Sequence, residues 1–179
     1  MKDKLKIYST KKLDLILINK ILKLKSTHWK NTLSSQRNWF KKKLTKDDIH
    51  IILKKKKILV GYVVLRKRKF YFNNDDKYFY PIILFDTLIV RKKFRGKEYA
   101  KQLIKKTIQI SDKLKTLMFL SCKKGLINFY LNLGWKKIDK NNLNILDDKN
   151  LKNYILIYRK NLNLKNKFLK KKINIYLNQ

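Results

Sequence analysis

Between Leu84 and Ala100 an apolar run, Leu84-Phe85-Asp86-Thr87-Leu88-Ile89-Val90, passes through the basic turn Arg91-Lys92-Lys93-Phe94-Arg95-Gly96-Lys97 straight into Glu98-Tyr99-Ala100 and a helical pattern. A strand that feeds a helix through so short a turn makes an anion site. The helix start leaves several backbone N–H groups unpaired and carries the positive end of the macrodipole, so main chain alone can hold a phosphate or pyrophosphate. Glycine at 96 lets the backbone come close.

The helix is written clearly: Ala100, Leu103, Ile104, Thr107 and Ile108 recur at i, i+3, i+4, i+7 and i+8. Upstream, Leu5 to Tyr8 alternates as a first strand, and Ser9 or Thr10 is placed to cap a helix through Lys25 with Leu13, Ile16, Leu17, Ile21 and Leu24 on one face. Ser34 or Ser35 is placed to cap a second helix carrying Trp39 and Phe40, with Ser26 to Trp29 as the loop between. Ile49 to Leu53 and Ile58 to Leu65 read as a hairpin around Lys54 to Lys57, with a bulge at Gly61. Phe79 to Val90 is the longest strand candidate. Leu117 to Leu120, Trp135 to Ile138 and Tyr154 to Tyr158 are further strands, and Leu126 to Leu133 is a short helix closed by Gly134.

A chain of 179 residues fits one domain and buries roughly 68–70% of its unfolded surface on folding. The expected organisation is a domain over 1–160 followed by a Lys/Asn-rich extension, 161–179, whose apolar residues allow it to pack as a final element or to fray. One cysteine, Cys122, excludes an internal disulfide framework and favours a reducing compartment, so the cytoplasm is expected. No metal cluster is expected. No apolar run reaches the ~18 residues of a membrane span, and no apolar segment follows the first lysines as in a secretory signal. With 47 Lys+Arg against 12 Asp+Glu the net charge is +35, a field that draws nucleic acid or other polyanions without sequence preference. Lysine is spread throughout, so compositional drift and a selected polyanion surface both remain open. Oligomeric state is not legible.

The order strand, Arg-Gly-Lys-x-x-Ala, amphipathic helix, then Asn-Phe-Tyr and Leu-Gly-Trp between Gly125 and Trp135, resembles the GNAT superfamily of acyl-CoA-dependent N-acetyltransferases. The family's phosphate loop reads Arg/Gln-x-x-Gly-x-Gly/Ala, and Arg95, Gly96, Lys97, Glu98, Tyr99 and Ala100 occupy its six positions. Glu98 departs from the pattern, standing where the family carries glycine. The resemblance implies an α/β fold: a mixed, mostly antiparallel sheet of six or seven strands with helices on both faces. It also implies acetyl-CoA as co-substrate, with its pantetheine arm pairing with main chain at Leu88, Ile89 and Val90.

Two catalytic residues follow from the same resemblance. Tyr130, four residues before Gly134-Trp135, matches the tyrosine that protonates the departing CoA sulfur; a phenol near pKa 10 is close to a leaving thiol. Asp86 matches a strand-four carboxylate used as general base or as anchor for the acceptor ammonium, and period two puts it on one face with Leu88 and Val90. His28 and Trp29 fall in the region that lines the acceptor pocket. Core roles compete for each: Tyr130 packs beside Phe129, Asp86 pairs with a lysine, and a lone histidine such as His28 or His50 is more often structural. Cys122 is a weak nucleophile candidate that Lys123 and Lys124 are placed to activate.

The expected activity is acetyl transfer from acetyl-CoA to a primary amine of a small molecule, an amino sugar or similar, in a ternary complex. A protein N-terminus or lysine is an alternative acceptor, and the positive field favours anionic amines. The rival is a catalytically degenerate scaffold that binds nucleic acid or a ribosomal surface.

Overall fold

The apolar runs on either side of Lys54 to Lys57 pair as the expected hairpin. In the computed structural model, which describes residues 4–72, 75–145, 153–160 and 172–175, β1 (Lys4–Ser9), β2 (Ile49–Lys55) and β3 (Ile58–Phe72) form an antiparallel meander, and β4 is Asp75–Val90. The chain divides into two compact units, Met1–Arg66 with Asp86–Gln109 and Lys67–Phe85 with Ile110–Gln179. Both β3 and β4 run through the two.

In the first unit, α1 (Leu15–Ser26) and α2 (Leu33–Lys43) cover one face of the strands. Their caps differ from the sequence expectation. Thr10–Lys12 coil into a 3-10 turn, so the helix starts later and Asp14 caps it, its carboxylate accepting from the Leu17 N–H at 2.6 Å. Thr32 caps α2 by accepting from the Ser35 N–H at 3.1 Å, which leaves Ser34 and Ser35 inside the first turn. Leu17, Ile21 and Leu24 pack on Ile52, Leu59, Tyr62, Val64 and Ile89, while Ile16, expected on that face, is exposed. Burying this stripe, rather than helix propensity, supplies most of the stability of short helices.

On the opposite face lies α3 (Tyr99–Leu114), with Tyr99, Leu103, Ile104 and Thr107 buried. The register of β2 against β3 shifts at Leu53/Lys54, opposite Gly61, so the bulge falls where glycine predicted it. The glycine has a second use. A Cβ at 61 would stand 2.8 Å from the Leu103 Cδ1 and 3.4 Å from the Ile89 carbonyl oxygen. A side chain here would require Leu103 to shift away from this strand.

In the second unit, β5 (Leu117–Cys122) runs parallel to β4, pairing over Ile82–Leu84, while β4 itself continues to Val90. The elements α4 (Ile127–Leu131), β6 (Lys136–Lys137), β7 (Leu143–Ile145), β8 (Tyr154–Tyr158) and β9 (Ile173–Ile175) follow. Strand β8 pairs antiparallel with β5 and with β6, β9 pairs antiparallel with β3, and β7 runs parallel to β9. Phe70, Phe72, Ile82, Phe119, Ile157 and Ile173 centre the core of this unit. Gly134, at φ 84°, ends α4 as expected, and the strand expected over Trp135 to Ile138 contracts to two residues.

The sheet is mixed and mostly antiparallel, with helices on both faces in the first unit, as the sequence implied. Nine strands are described where six or seven were expected. Part of the excess comes from the C-terminal extension, whose Ile173–Ile175 are buried as β9; residues 161–171 and 176–179 lie outside the described residues. Among the described residues no helix is long and apolar enough to cross a membrane.

Gly61→Ala is expected to cost about 1–3 kcal/mol in denaturant unfolding, the usual range for overpacking. Pairing it with Leu103→Val should recover part of that loss, since the crowded atom is the end of the leucine side chain.

Candidate active site

After β4 the chain makes a 3-10 turn at Lys92–Phe94 and then takes two left-handed residues before α3, Gly96 at φ 75° and Glu98 at φ 59°. At Glu98, where the family carries glycine, the loop keeps the left-handed geometry that suits glycine, at about 1–2 kcal/mol for a residue with a Cβ. The Glu98 carboxylate turns to Lys101, 3.0 Å away, and its carbonyl accepts from the Gln102 N–H. Among the described residues no acceptor takes the N–H groups of Gly96, Lys97 or Glu98, which together with the first turn of α3 make an open main-chain concavity for an anion. Nothing lies within 4 Å of a Cβ placed at Gly96, so its approach face is open.

The Arg95 guanidinium holds the loop while its Nη1 takes no part in the contacts described. Its Nε donates to the Val90 carbonyl at 3.0 Å and its Nη2 lies 3.2 Å from the His28 Nδ1. Arg91 likewise ties β4 to β3, donating from its backbone N–H to Val60 and from Nε to Leu59. These bonds clamp the loop to the strand end. Tyr99 is buried, edge-on to Phe94, whereas Lys97 is exposed.

Strand β4 does not keep period two at its end. Thr87 sits at φ 53°, and the interruption puts Asp86 and Ile89 on the α1/α2 face while Val90 lies against Gly61 on the α3 face. The expectation that Asp86, Leu88 and Val90 share a face is therefore corrected. Asp86 Oδ2 accepts from the buried Arg66 Nη1 at 3.2 Å and Oδ1 accepts from the Thr87 hydroxyl at 2.9 Å. Asp86 lines a cavity of about 230 Å³ with Trp29, Trp39, Gln36, Thr87 and Lys25. Trp29 lines this cavity, whereas His28 is directed to Arg95 and lies outside that lining.

Lys25 is the residue that sequence reasoning missed. It is 4% exposed, and its Nζ lies 3.3 Å from the centre of the Trp39 ring and 6.0 Å from that of Trp29. Burial pulls the ammonium pKa down to about 8; Asp86 opposes the shift and Arg66 adds to it. One of many lysines carries no local mark of burial. The only available signal was its place in the α1 stripe, one residue after Leu24 and four after Ile21.

His50 is buried, not a base. Its Nδ1 and Nε2 each lie 2.8 Å from a hydroxyl, of Tyr62 and Thr10, and its ring stacks on Phe40. Burial pulls its pKa down to about 4, Asp48 opposing and Lys25 adding, so the ring is a neutral core group. In the second unit, Tyr130 is buried edge-on to Phe85, Phe129 and Trp135. Burial, with Cys122 adding, pushes its phenol well above the ordinary value, which corrects the expected match to a thiol. Among the described residues its hydroxyl has no hydrogen-bond partner. Burial also raises the Cys122 thiol, so the neighbouring lysines do not activate it. Among the described residues no cluster of ligands could hold a metal.

The strand-loop-helix junction and the mixed sheet define an acyl-CoA-binding class of fold. The chain belongs to the Acetyltransferase (GNAT) family, whose sequence profile matches residues 18–135, and is an acyltransferase by that membership. Solved structures agree in fold. Escherichia coli ElaA is 19% identical and matches 89% of this chain and 100% of its own with a TM-score of 0.63. The GNAT N-acetyltransferase YhbS of Escherichia coli, in complex with CoA, is 14% identical over 88% of this chain and 81% of its own, with a TM-score of 0.64. An aminoglycoside 6'-N-acetyltransferase complexed with coenzyme A is 13% identical over 86% of this chain and 96% of its own, with a TM-score of 0.62. No curated protein sequence matches the chain significantly.

A lysine whose folded pKa is about 8 against 10.5 binds fewer protons than the unfolded chain between those values, so stability rises with pH across that window. Below pH 8 the buried charge costs about 3 kcal/mol. Lys25→Met gives up the Trp39 contact, worth about 1–2 kcal/mol, and should still raise stability at pH 7 by about 1–2 kcal/mol, or roughly 2–8 °C in melting midpoint. Calorimetry at pH 7 and pH 10 checks this, because the gain must shrink at the higher pH.

Proposed function

We propose that the protein transfers an acetyl group from acetyl-CoA to the primary amine of a small molecule by direct attack in a ternary complex. The observation that carries this reading is the open row of N–H groups at Gly96, Lys97 and Glu98, at the start of α3 and in the family's phosphate-loop position. The pyrophosphate sits on these groups, Lys97 and the +35 field adding attraction. The pantetheine amides pair with main chain at Leu88 to Val90, beyond the stretch of β4 that pairs with β5. A lone buried thiol, Cys122, suits a reducing cytoplasm.

Asp86 anchors the acceptor ammonium. Each carboxylate oxygen already accepts one hydrogen bond and keeps a lone pair for another. One proton of the anchored ammonium leaves to water or Asp86, the neutral amine attacks the thioester carbonyl to form the C–N bond, and a second proton leaves the nitrogen to water as the C–S bond breaks and CoA departs as a thiolate that water protonates. Tyr130 meets the departing sulfur. With its phenol pushed above the ordinary range it stays protonated and acts chiefly as a hydrogen-bond donor, since full transfer to a thiolate of pKa about 8.5 is uphill.

A second reading, a scaffold for single-stranded nucleic acid, is favoured by the exposed Tyr78, Phe79 and Tyr80 on β4 with Lys69 over the Phe79 ring. Thermal melting with CoA separates the two. CoA at about 100 times its Kd should stabilise the protein by about 2.7 kcal/mol, and an unchanged midpoint leaves the scaffold reading. Lys97→Glu should weaken that shift. Glu98→Gly should enlarge it modestly and raise the midpoint without ligand, because a left-handed residue and a like charge are both removed.

Tyr130→Phe is expected to keep the CoA shift and lower turnover by roughly 10- to 100-fold, the low end for a general acid. Full activity in that variant would make Tyr130 a packing residue and leave the sulfur to water.

A further inference from the structure

Two charged side chains line the α1/α2 cavity: Asp86, which accepts from Arg66 at 3.2 Å, and Lys25. Among the described residues it has no hydrogen-bond acceptor; Trp39 offers only the face of its ring. Lys25 is 4% exposed and lines the cavity, where an anionic partner would offset the cost of desolvating its ammonium. Its companions suit a ligand rather than a core: two tryptophans for walls, a buried Gln36 amide and the Ser35 hydroxyl.

We propose that this cavity selects acceptors bearing a carboxylate, with Lys25 as the counter-ion and Asp86 holding the amine, so that the substrate is a small amino-carboxylate. This rests on the acetyl-transfer reading. The acceptor's ammonium pairs with Asp86 and its carboxylate with Lys25, one opposite charge for each end. The cavity of about 230 Å³ is smaller than the roughly 300–1,000 Å³ usual for drug-sized ligands, so it accepts a compact molecule. Lys25 is then a specificity residue, acting on the end of the acceptor remote from the reacting nitrogen.

Tryptophan emission reads the cavity directly, because Trp29 and Trp39 line it, and needs no CoA. L-Leucine, L-leucinamide and O-phosphoethanolamine are titrated into wild type, Lys25→Met and Lys25→Gln. Wild type should bind leucine at least about tenfold more tightly than leucinamide, and either variant should reduce that preference to about threefold or less. Equal binding of leucine and its amide, no emission change with either, or a preference that survives in both variants overturns the proposal. Tighter binding of phosphoethanolamine than of leucine overturns the carboxylate assignment. Melting with CoA keeps the two readings apart. A CoA shift without carboxylate preference removes this inference alone; the preference without a CoA shift removes acetyl transfer and leaves an amino-carboxylate site.

Discussion

The approach of α3 to β3 at Gly61 is the contact on which the cofactor loop depends. With no Cβ at that position, Leu103 settles against the strand, and the start of α3 is held near the end of β4. Hydrogen bonds from Arg91 to Val60 and Leu59, and from Arg95 to Val90, then fix the turn between them. The N–H groups of Gly96, Lys97 and Glu98 are left without an acceptor among the described residues. A left-handed Glu98 persists here because the surrounding bonds over-determine the path, which is how strained residues survive at binding sites.

A second constraint lies on the opposite face of the same strands. Thr87 breaks the alternation of β4, and the break turns Asp86 toward Arg66, Trp39 and Lys25. Beneath them, His50, Tyr62 and Thr10 form a satisfied polar group inside the core, each hydroxyl matched to a ring nitrogen. The contrast is informative. A buried polar group with partners rigidifies a fold, whereas Lys25 has the burial without the acceptor. That asymmetry separates the histidine, a satisfied core residue, from the lysine.

Much of this was legible in one dimension. The i, i+3, i+4, i+7 recurrence of Leu103, Ile104 and Thr107 sets a helix wherever the chain packs, and Arg95 to Ala100 followed by Tyr130 and Gly134-Trp135 carries the family. Helix caps were not. Ser9, Thr10, Ser34 and Ser35 can all cap a helix, and the choice of Asp14 and Thr32 was made by where the preceding strand and turn released the chain. The sign of φ at Glu98 and Thr87 was hidden for a related reason, since neither residue type announces a left-handed backbone.

Periodicity, turn chemistry and short motifs are properties of neighbours along the chain, so the sequence by itself determined most of the elements, the strand-loop-helix junction and the GNAT membership. Burial and pairing are properties of residues distant in sequence that meet only after folding. Tertiary structure alone decided that Lys25, among 47 Lys+Arg residues, is buried without an acceptor among the described residues, that His50 is neutral and that Arg95 ties the loop to the end of β4. A side chain's charge state follows the solvent it has lost, and that loss is fixed by packing.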